Sequence, residues 1–350
     1  MANRNVVVIG GSSGAIKPLN AILRLLPQNL DAAILVVIHV QSGSAGVYGA
    51  IAKDCPLPVI TANEGMEVER GKVYVAPPDH HLLLIDDRIC LGNGPRENLA
   101  RPSIDPLLRS AALTAGSRTI GLILSGMLND GASGLASVKR CGGIAMVQAP
   151  STAASPDMPM AALEATAVDL SGAEGDLAAA IIRFVGEEAG PMVATPSALR
   201  LEVEIAAGNA TTTGTVEKFA RPIALTCPDC GGVLSEADDK HPLRFRCQVG
   251  HAYTAKALLG EQEGAVDEAM RVALRIIEER AHLVTRMGKD AEASGRASIA
   301  EDYLQRADEY RTQAEVLRVA LLKLLELKSA NQSEGDVVRY EAKAAVGRER

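Results

Sequence analysis

Residues 6–15 read VVVIGGSSGA. A continuous apolar run closes on paired glycines and serines, and apolar residues then recur at helical spacing from Lys17 to Leu26. A strand that is apolar on both faces belongs inside a parallel sheet covered by helices. The pattern repeats downstream. Ala32 to Val40 is a second apolar run, and Pro58 to Ala62, Lys72 to Pro77 and Leu82 to Ile85 are short strand candidates. Pro106 to Ala115 reads as a helix before a strand at Thr119 to Ser125. Ala132 to Cys141 reads as a helix before a strand at Gly143 to Gln148. The expected fold is α/β, a doubly wound, mainly parallel sheet occupying residues 1–190.

The bulk properties exclude several classes. The 350 residues are 47% apolar but only 3% aromatic, with no Trp, so the core must be built from Val, Ile, Leu and Ala. The net charge of -7 and the lack of a Lys/Arg block argue against nucleic acid as a partner. The longest apolar runs are strand-sized, short of the roughly 20 residues of a spanning helix, so no membrane insertion is expected. Met1 to Asn5 lacks the pattern of a signal peptide, and the expected compartment is the cytoplasm. In that setting Cys55, Cys90 and Cys141 read as structural thiols rather than disulfide partners.

Beyond residue 190 the text changes. Residues 191–221, entered through Gly190-Pro191 and holding a Thr run and small residues, read as a linker, with a short ordered stretch at Leu199 to Ile205. Residues 222–255 hold two close pairs, Cys227-Pro-Asp-Cys230 and Cys247-Gln-Val-Gly-His251. Each pair fits a tight turn, so four ligands can converge on one tetrahedral ion, and a structural zinc in a ribbon-like module is expected. Residues 256–330 show three- and four-residue apolar spacing on both sides of Ala293-Ser294-Gly295, which fits a helical hairpin. Residues 331–350 are polar and are expected to be a disordered tail.

The chemistry lies in the first half. Gly10-Gly11-Ser12-Ser13-Gly14 has the G-x-S-x-G form, a serine on a turn between strand and helix. The second strand ends in His39, and the strand from Thr119 leads into Gly126-Met127-Leu128-Asn129-Asp130-Gly131. Serine is a poor nucleophile until histidine takes its proton, and a carboxylate fixes the imidazole tautomer. Each residue alone has an ordinary reading: a serine-capped glycine turn, a strand end, a helix N-cap. All three, however, fall past the carboxyl ends of expected parallel strands, the edge where such sheets build sites. A dinucleotide fingerprint fits poorly, because its third position is Ser12 and the second strand ends in His39 rather than an acid. The α/β-hydrolase order of Ser, acid, His fits poorly too.

The segments VVVIGGSSGA, VVIHV, VYVAPPDHHLLL, RPSID, GLILSGMLNDGASGL and GGIAMVQAPSTAASPDMP, in this order, resemble the catalytic domain of CheB methylesterases. The resemblance covers nearly all of residues 5–185. It implies Ser12 as nucleophile, His39 as base and Asp130 as its orienting acid. It places Ser13 and Met127 near the oxyanion, and His81 and Arg101 near the rim of the site. It implies hydrolysis of glutamate methyl esters on helical chemoreceptors, with methanol released, and in some members deamidation of glutamine. Catalysis then needs no cofactor.

Departures from the family pattern fall at Ser13, Ala15, Ile38 and Leu128, where Thr, Gly, Gln and Gly are usual; they are expected to reshape the approach to the site. The chain opens on the first esterase strand, so control by a receiver domain in the same chain is not expected. The Cys/His module resembles an extension on some receiver-less relatives, and it is expected to dock a regulatory protein. Two alternatives remain open at this point: a non-catalytic receptor-binding scaffold, and a serine esterase with another substrate.

Overall fold

The strand β1 (Val6–Gly11) is fully buried and lies in the middle of a seven-stranded parallel sheet. The computed structural model describes residues 3–40, 46–53, 55–191, 193–209, 213–238 and 242–346. From β1 the chain passes through α1 (Ile16–Arg24) to β2 (Ala33–Ile38), α2 (Tyr48–Ala52), β3 (Val59–Thr61) and β4 (Val73–Val75). β5 (His81–Ile85) and β6 (Arg88–Gly92) form a separate antiparallel hairpin. There follow α3 (Ile104–Ala115), β7 (Thr119–Ile123), α4 (Ala132–Arg140), β8 (Ile144–Gln148), α5 (Asp157–Ala165), β9 (Leu170–Gly172) and α6 (Glu174–Gly186).

The strand order is β3-β4-β2-β1-β7-β8-β9. β1 pairs with β2 on one side and with β7 on the other, so the winding reverses beside it. Alternate residues of β1 face opposite layers, as the two-residue period of a strand requires. Val7 and Ile9 join Leu19, Ile22 and Leu23 of α1 and Leu177 and Ile181 of α6. Val6 and Val8 join Leu107 and Leu108 of α3 and Leu135 and Val138 of α4. Helices on both faces explain why the strand text is apolar throughout.

The expected linker is corrected. Residues 197–207 form α7 (Ser197–Ala207), with Leu199, Val203 and Ile205 buried; Leu199 joins the second core layer. Its amphipathic spacing packs it on the domain, whereas small residues around it gave the stretch a linker's composition. Residues 192 and 210–212 lie outside the described residues. After α8 (Thr213–Val216), β10 (Ala220–Thr226) already begins, and β11 (Val233–Ala237), β12 (Arg244–Cys247) and β13 (Ala252–Thr254) complete an antiparallel four-stranded sheet. This module belongs to the same compact unit as the large sheet, Met1–Leu258.

The second unit, Leu259–Arg350, contains most of α9 (Ala255–Ala293) and all of α10 (Ala297–Val346). Arg318 pairs with Glu278, and Arg311 Nη2 donates to Thr285 Oγ1 at 2.8 Å, so the two helices run antiparallel. Ala281, Ala291, Ala300, Ala307 and Ala314 make a buried small-residue seam. The expected tail is also corrected: α10 continues to Val346, because Ala, Glu and Lys favour helix and no Pro interrupts them. Residues 347–350 lie outside the described residues. No helix among the described residues is long and apolar enough to cross a membrane.

Candidate active site

Ser12 follows β1 at the point where the winding reverses, the place where open α/β sheets form their binding crevice. Gly11 pairs with Ile38, so Ser12 and His39 are the next residues on neighbouring strands. Two backbone bonds tie this edge together: His39 N–H donates to Gly11 O at 3.1 Å, and Ser12 N–H donates to Ser125 O at 2.9 Å. Beyond β7, Gly126 has no room for a side chain. A Cβ there would lie 2.0 Å from Met158 Sδ and 2.9 Å from Ser12 Cβ.

His39 Nε2 lies 2.7 Å from Asp130 Oδ2. Asp130 is 2% exposed and is surrounded by donors. Besides His39 it accepts from Asn98 Nδ2 at 2.8 Å, Ser103 Oγ at 2.9 Å, and the N–H groups of Ile104 at 2.7 Å, Asp105 at 3.2 Å and Gly131 at 2.9 Å. The Ile104 and Asp105 donors are the free first-turn amides of α3, so the carboxylate caps that helix from another segment. Burial pushes the Asp130 carboxyl up, but the bond and charge of His39 and the bonds from Ile104 and Asn98 outweigh it and hold it well below the usual range. Asp105, buried beside that charge, is pushed up to about 7 by burial and by Asp130. Gly131, at φ 88°, provides the left-handed turn from the loop into α4.

A cleft of about 450 Å3 opens beside the pair, lined in part by His39, Arg96, Asn98, Leu99, Arg101 and Leu128. Arg101 is thus on the rim as expected, with Nη1 donating to Gly94 O at 3.0 Å. Ser13 is exposed on the turn and Met127 is 61% exposed. His81 is a correction. It is fully buried, with Nε2 3.0 Å from Pro95 O and Nδ1 accepting from Ser103 N–H at 3.3 Å, and it braces the rim loop rather than meeting substrate. Burial lowers its pKa, which fits a neutral ring with one donor and one acceptor nitrogen.

Two departures from the family pattern are also corrected. The Ala15 methyl and the Ile38 side chain are buried in the core between the sheet and α1, so neither reshapes the approach to the site. Leu128 does line the cleft, at φ 62°. Asn98 escaped the sequence reading altogether, since nothing in its spacing marks it. Ser103 fell inside the flagged RPS segment.

In the module, the thiols of Cys227, Cys230 and Cys247 and a ring nitrogen of His251 lie within 4.8 Å of one another. Cys230 Sγ is 3.7 Å from Cys247 Sγ, and His251 Nδ1 is 3.5 Å from Cys247 Sγ and 3.7 Å from Cys227 Sγ. A tetrahedral ion with bonds of about 2.3 Å to sulfur and about 2.0 Å to nitrogen needs edges of roughly 3.5–3.8 Å. The donor set therefore fits zinc. A buried ion network lies between this module and the large sheet. Glu97 meets Arg109 and Arg246, and Glu202 meets Arg109 and Arg244. Burial pushes the Glu97 carboxyl up, but the charges of Arg109 and Arg246 prevail and hold it at about 2.

Comparison with known proteins agrees with the first half of the chain. A family model described as CheB methylesterase matches residues 7–181. A Leptospira interrogans protein named putative protein-glutamate methylesterase/protein-glutamine glutaminase is 41% identical over 169 residues, covering 48% of this chain and 88% of that one. A protein-glutamate methylesterase/protein-glutamine glutaminase of Anaeromyxobacter dehalogenans is 41% identical over 169 residues, 48% of this chain and half (50%) of its own length. The crystal structure of the Thermotoga maritima CheB methylesterase catalytic domain aligns with a TM-score of 0.50 at 32% identity, covering 52% of this chain and 99% of that one. The family model's match ends at residue 181, before the Cys/His module.

Proposed function

Because the chain belongs to the CheB methylesterase family, we propose that it hydrolyses glutamate methyl esters on a helical, chemoreceptor-like protein and deamidates glutamine by the same route. The observation that carries the reading is the 2.7 Å contact between His39 Nε2 and Asp130, with Ser12 next in register to His39. Nε2–H is committed to the carboxylate, which leaves Nδ1 as the nitrogen that can act as base. Ser12 Oγ attacks the ester carbonyl carbon as His39 takes its proton. The tetrahedral oxyanion collapses, and the proton passes to the departing methoxide, so methanol leaves and an acyl-serine remains. Water, deprotonated by His39, then releases the glutamate carboxylate. With glutamine the leaving group is ammonia. We assign the N–H groups of Ser13 and Met127 as oxyanion donors.

A scaffold would have no use for a buried carboxylate that holds a histidine in one tautomer, so the enzyme reading is preferred. The four-ligand site is assigned to a structural zinc, which would tie the strands of the module together and takes no part in the ester chemistry. The test is methanol release from methylated chemoreceptor cytoplasmic fragments. Native protein should release it and Ser12→Ala should not. Tight binding of the fragment without release by native protein would instead support the scaffold.

A further inference from the structure

The Cys/His module reaches the catalytic carboxylate through Asn98. Its backbone N–H donates to Ala252 O at 2.8 Å, next to His251. Its side-chain Oδ1 accepts from Thr254 N–H at 3.0 Å. Its Nδ2 then donates to Asp130 Oδ1 at 2.8 Å and to Asp105 Oδ2 at 3.0 Å. An amide side chain can turn over only if both partners let it, and here β13 fixes the oxygen while Asp130 and Asp105 fix the nitrogen. A second link runs in parallel, because the Thr254 hydroxyl bonds Asn129 Oδ1, on the residue before Asp130.

The loop that carries Asn98 depends on the module for its shape. Asn98 and Leu99 both have positive φ, 49° and 68°. Asn tolerates that region; Leu does so only when its surroundings hold it there. Leu99 packs on the module's core of Cys227, Leu234, Phe245, Cys247 and Tyr253, which contains two of the four ligands. Glu97 pairs with Arg246, the residue before the ligand Cys247, and both are 2% exposed or less. Arg96, Leu99 and Arg101 of the same loop line the cleft.

We propose that the Cys/His module is a clamp for the catalytic aspartate: β13 orients Asn98, Asn98 orients Asp130, and metal occupancy of the four-ligand site sets the competence of the triad. Asn98 is a positioning residue in this scheme, and the proposal rests on the zinc and esterase readings above. Without the ion, the turns bearing Cys227, Cys230, Cys247 and His251 lose their common tie. β13 then loosens, and Asn98 no longer holds Asp130 where it fixes the His39 tautomer.

The test uses the full-length chain and a fluorophosphonate probe that labels Ser12. Labelling needs no knowledge of the natural ester, so a wrong substrate shows in methanol release and a wrong clamp shows in labelling. Zinc content is measured in each sample. Asn98→Ala should cut the maximal labelling rate at least tenfold, with the probe's KI within twofold and the zinc retained. Thr254→Val should act in the same direction, and Thr254→Ser should restore the rate. Removing zinc with a chelator should raise amide exchange over residues 96–105 and slow labelling at least tenfold, and added Zn2+ should reverse both. Full-rate labelling in Asn98→Ala would overturn the clamp. So would full-rate labelling after zinc is removed, or in a native chain that binds no zinc.

Discussion

A side chain on Gly126 would occupy the space of Ser12: a Cβ built there falls 2.9 Å from the Cβ of the nucleophile. The loop after β7 therefore positions Ser12 by having nothing at this point. Met158 Sδ is closer still, 2.0 Å from the built Cβ, so an added methyl has one yielding neighbour, the Met158 side chain, and one rigid one.

Gly126→Ala is accordingly expected to displace Ser12 more than it unfolds the protein. Overpacking of this kind costs about 1–3 kcal/mol. The expected result is a fall in methanol release of roughly tenfold or more, because misplacing a reacting atom by about 1 Å can cost about a hundredfold. Steady-state kinetics with a parallel urea melt distinguishes the two effects. An unchanged kcat would show that the turn absorbs the methyl.

Asp130→Asn should separate chemistry from architecture. The amide offers one acceptor oxygen where the carboxylate offers two, and its NH2 group cannot accept from Ile104, Asp105 or Ser103. Loss of the correct imidazole tautomer in a serine triad costs about 10⁴ in kcat, and a similar loss is expected here. Leaving buried donors of α3 unpaired should also cost about 1–3 kcal/mol. Ser12→Ala, by contrast, should abolish turnover with little change in the melt, since Ser12 is only partly buried. If Asp130→Asn kept the native rate, His39 would need another orienting group.

Most of the triad was legible because it follows strand ends. Apolar runs fixed where the strands stop, and Ser12, His39 and Asp130 stand just past three of them. The module's ligands were legible because two close pairs leave few other readings. Asn98 was not, because its role comes from a strand 154 residues or more downstream in the sequence that folds back on it. Ala15 and Ile38 were misjudged for a related reason. Their distance from the catalytic residues is short in sequence, but strand alternation and the helix turn point both side chains into the core. The order at Leu199 to Ile205 was legible, but not the full helix α7 from Ser197 to Ala207, since its packing on α3 and on the β5–β6 hairpin is what makes Leu199 and Val203 core residues.

Leu128→Gly asks what the cleft gains from a leucine at φ 62°. A non-glycine residue in this region costs about 1–2 kcal/mol, and glycine costs about 0.5–1 kcal/mol of extra chain entropy. The two nearly cancel, so stability should change by less than about 1 kcal/mol. The cleft loses part of its wall beside His39. The expected outcome is a change in KM for methylated fragments larger than the change in kcat. A large fall in kcat at constant KM would mean that the leucine side chain positions His39 instead.

Acid should weaken the fold through Glu97. Its folded-state pKa, held at about 2 by Arg109 and Arg246, is below the ordinary 4.5. A depressed carboxylate stabilises above the unfolded pKa, and the contribution is lost as pH falls through that value towards the folded one. The difference corresponds to on the order of 3 kcal/mol for this buried group. Asp105 runs the other way: raised to about 7 from 3.8, it favours the fold when protonated, and that contribution fades as pH rises through the same interval. Urea unfolding from pH 2 to 8 should therefore show stability lost as pH falls from about 4.5 towards 2, and lost again as pH rises from about 4 to 7. Glu97→Gln strands part of the charge on Arg109 and Arg246 and should cost about 3–5 kcal/mol near neutral pH, while flattening the acid limb. If the variant kept the native acid limb, the loss of stability would have to come from other carboxylates, with Asp130 and its bonds to α3 the first to examine.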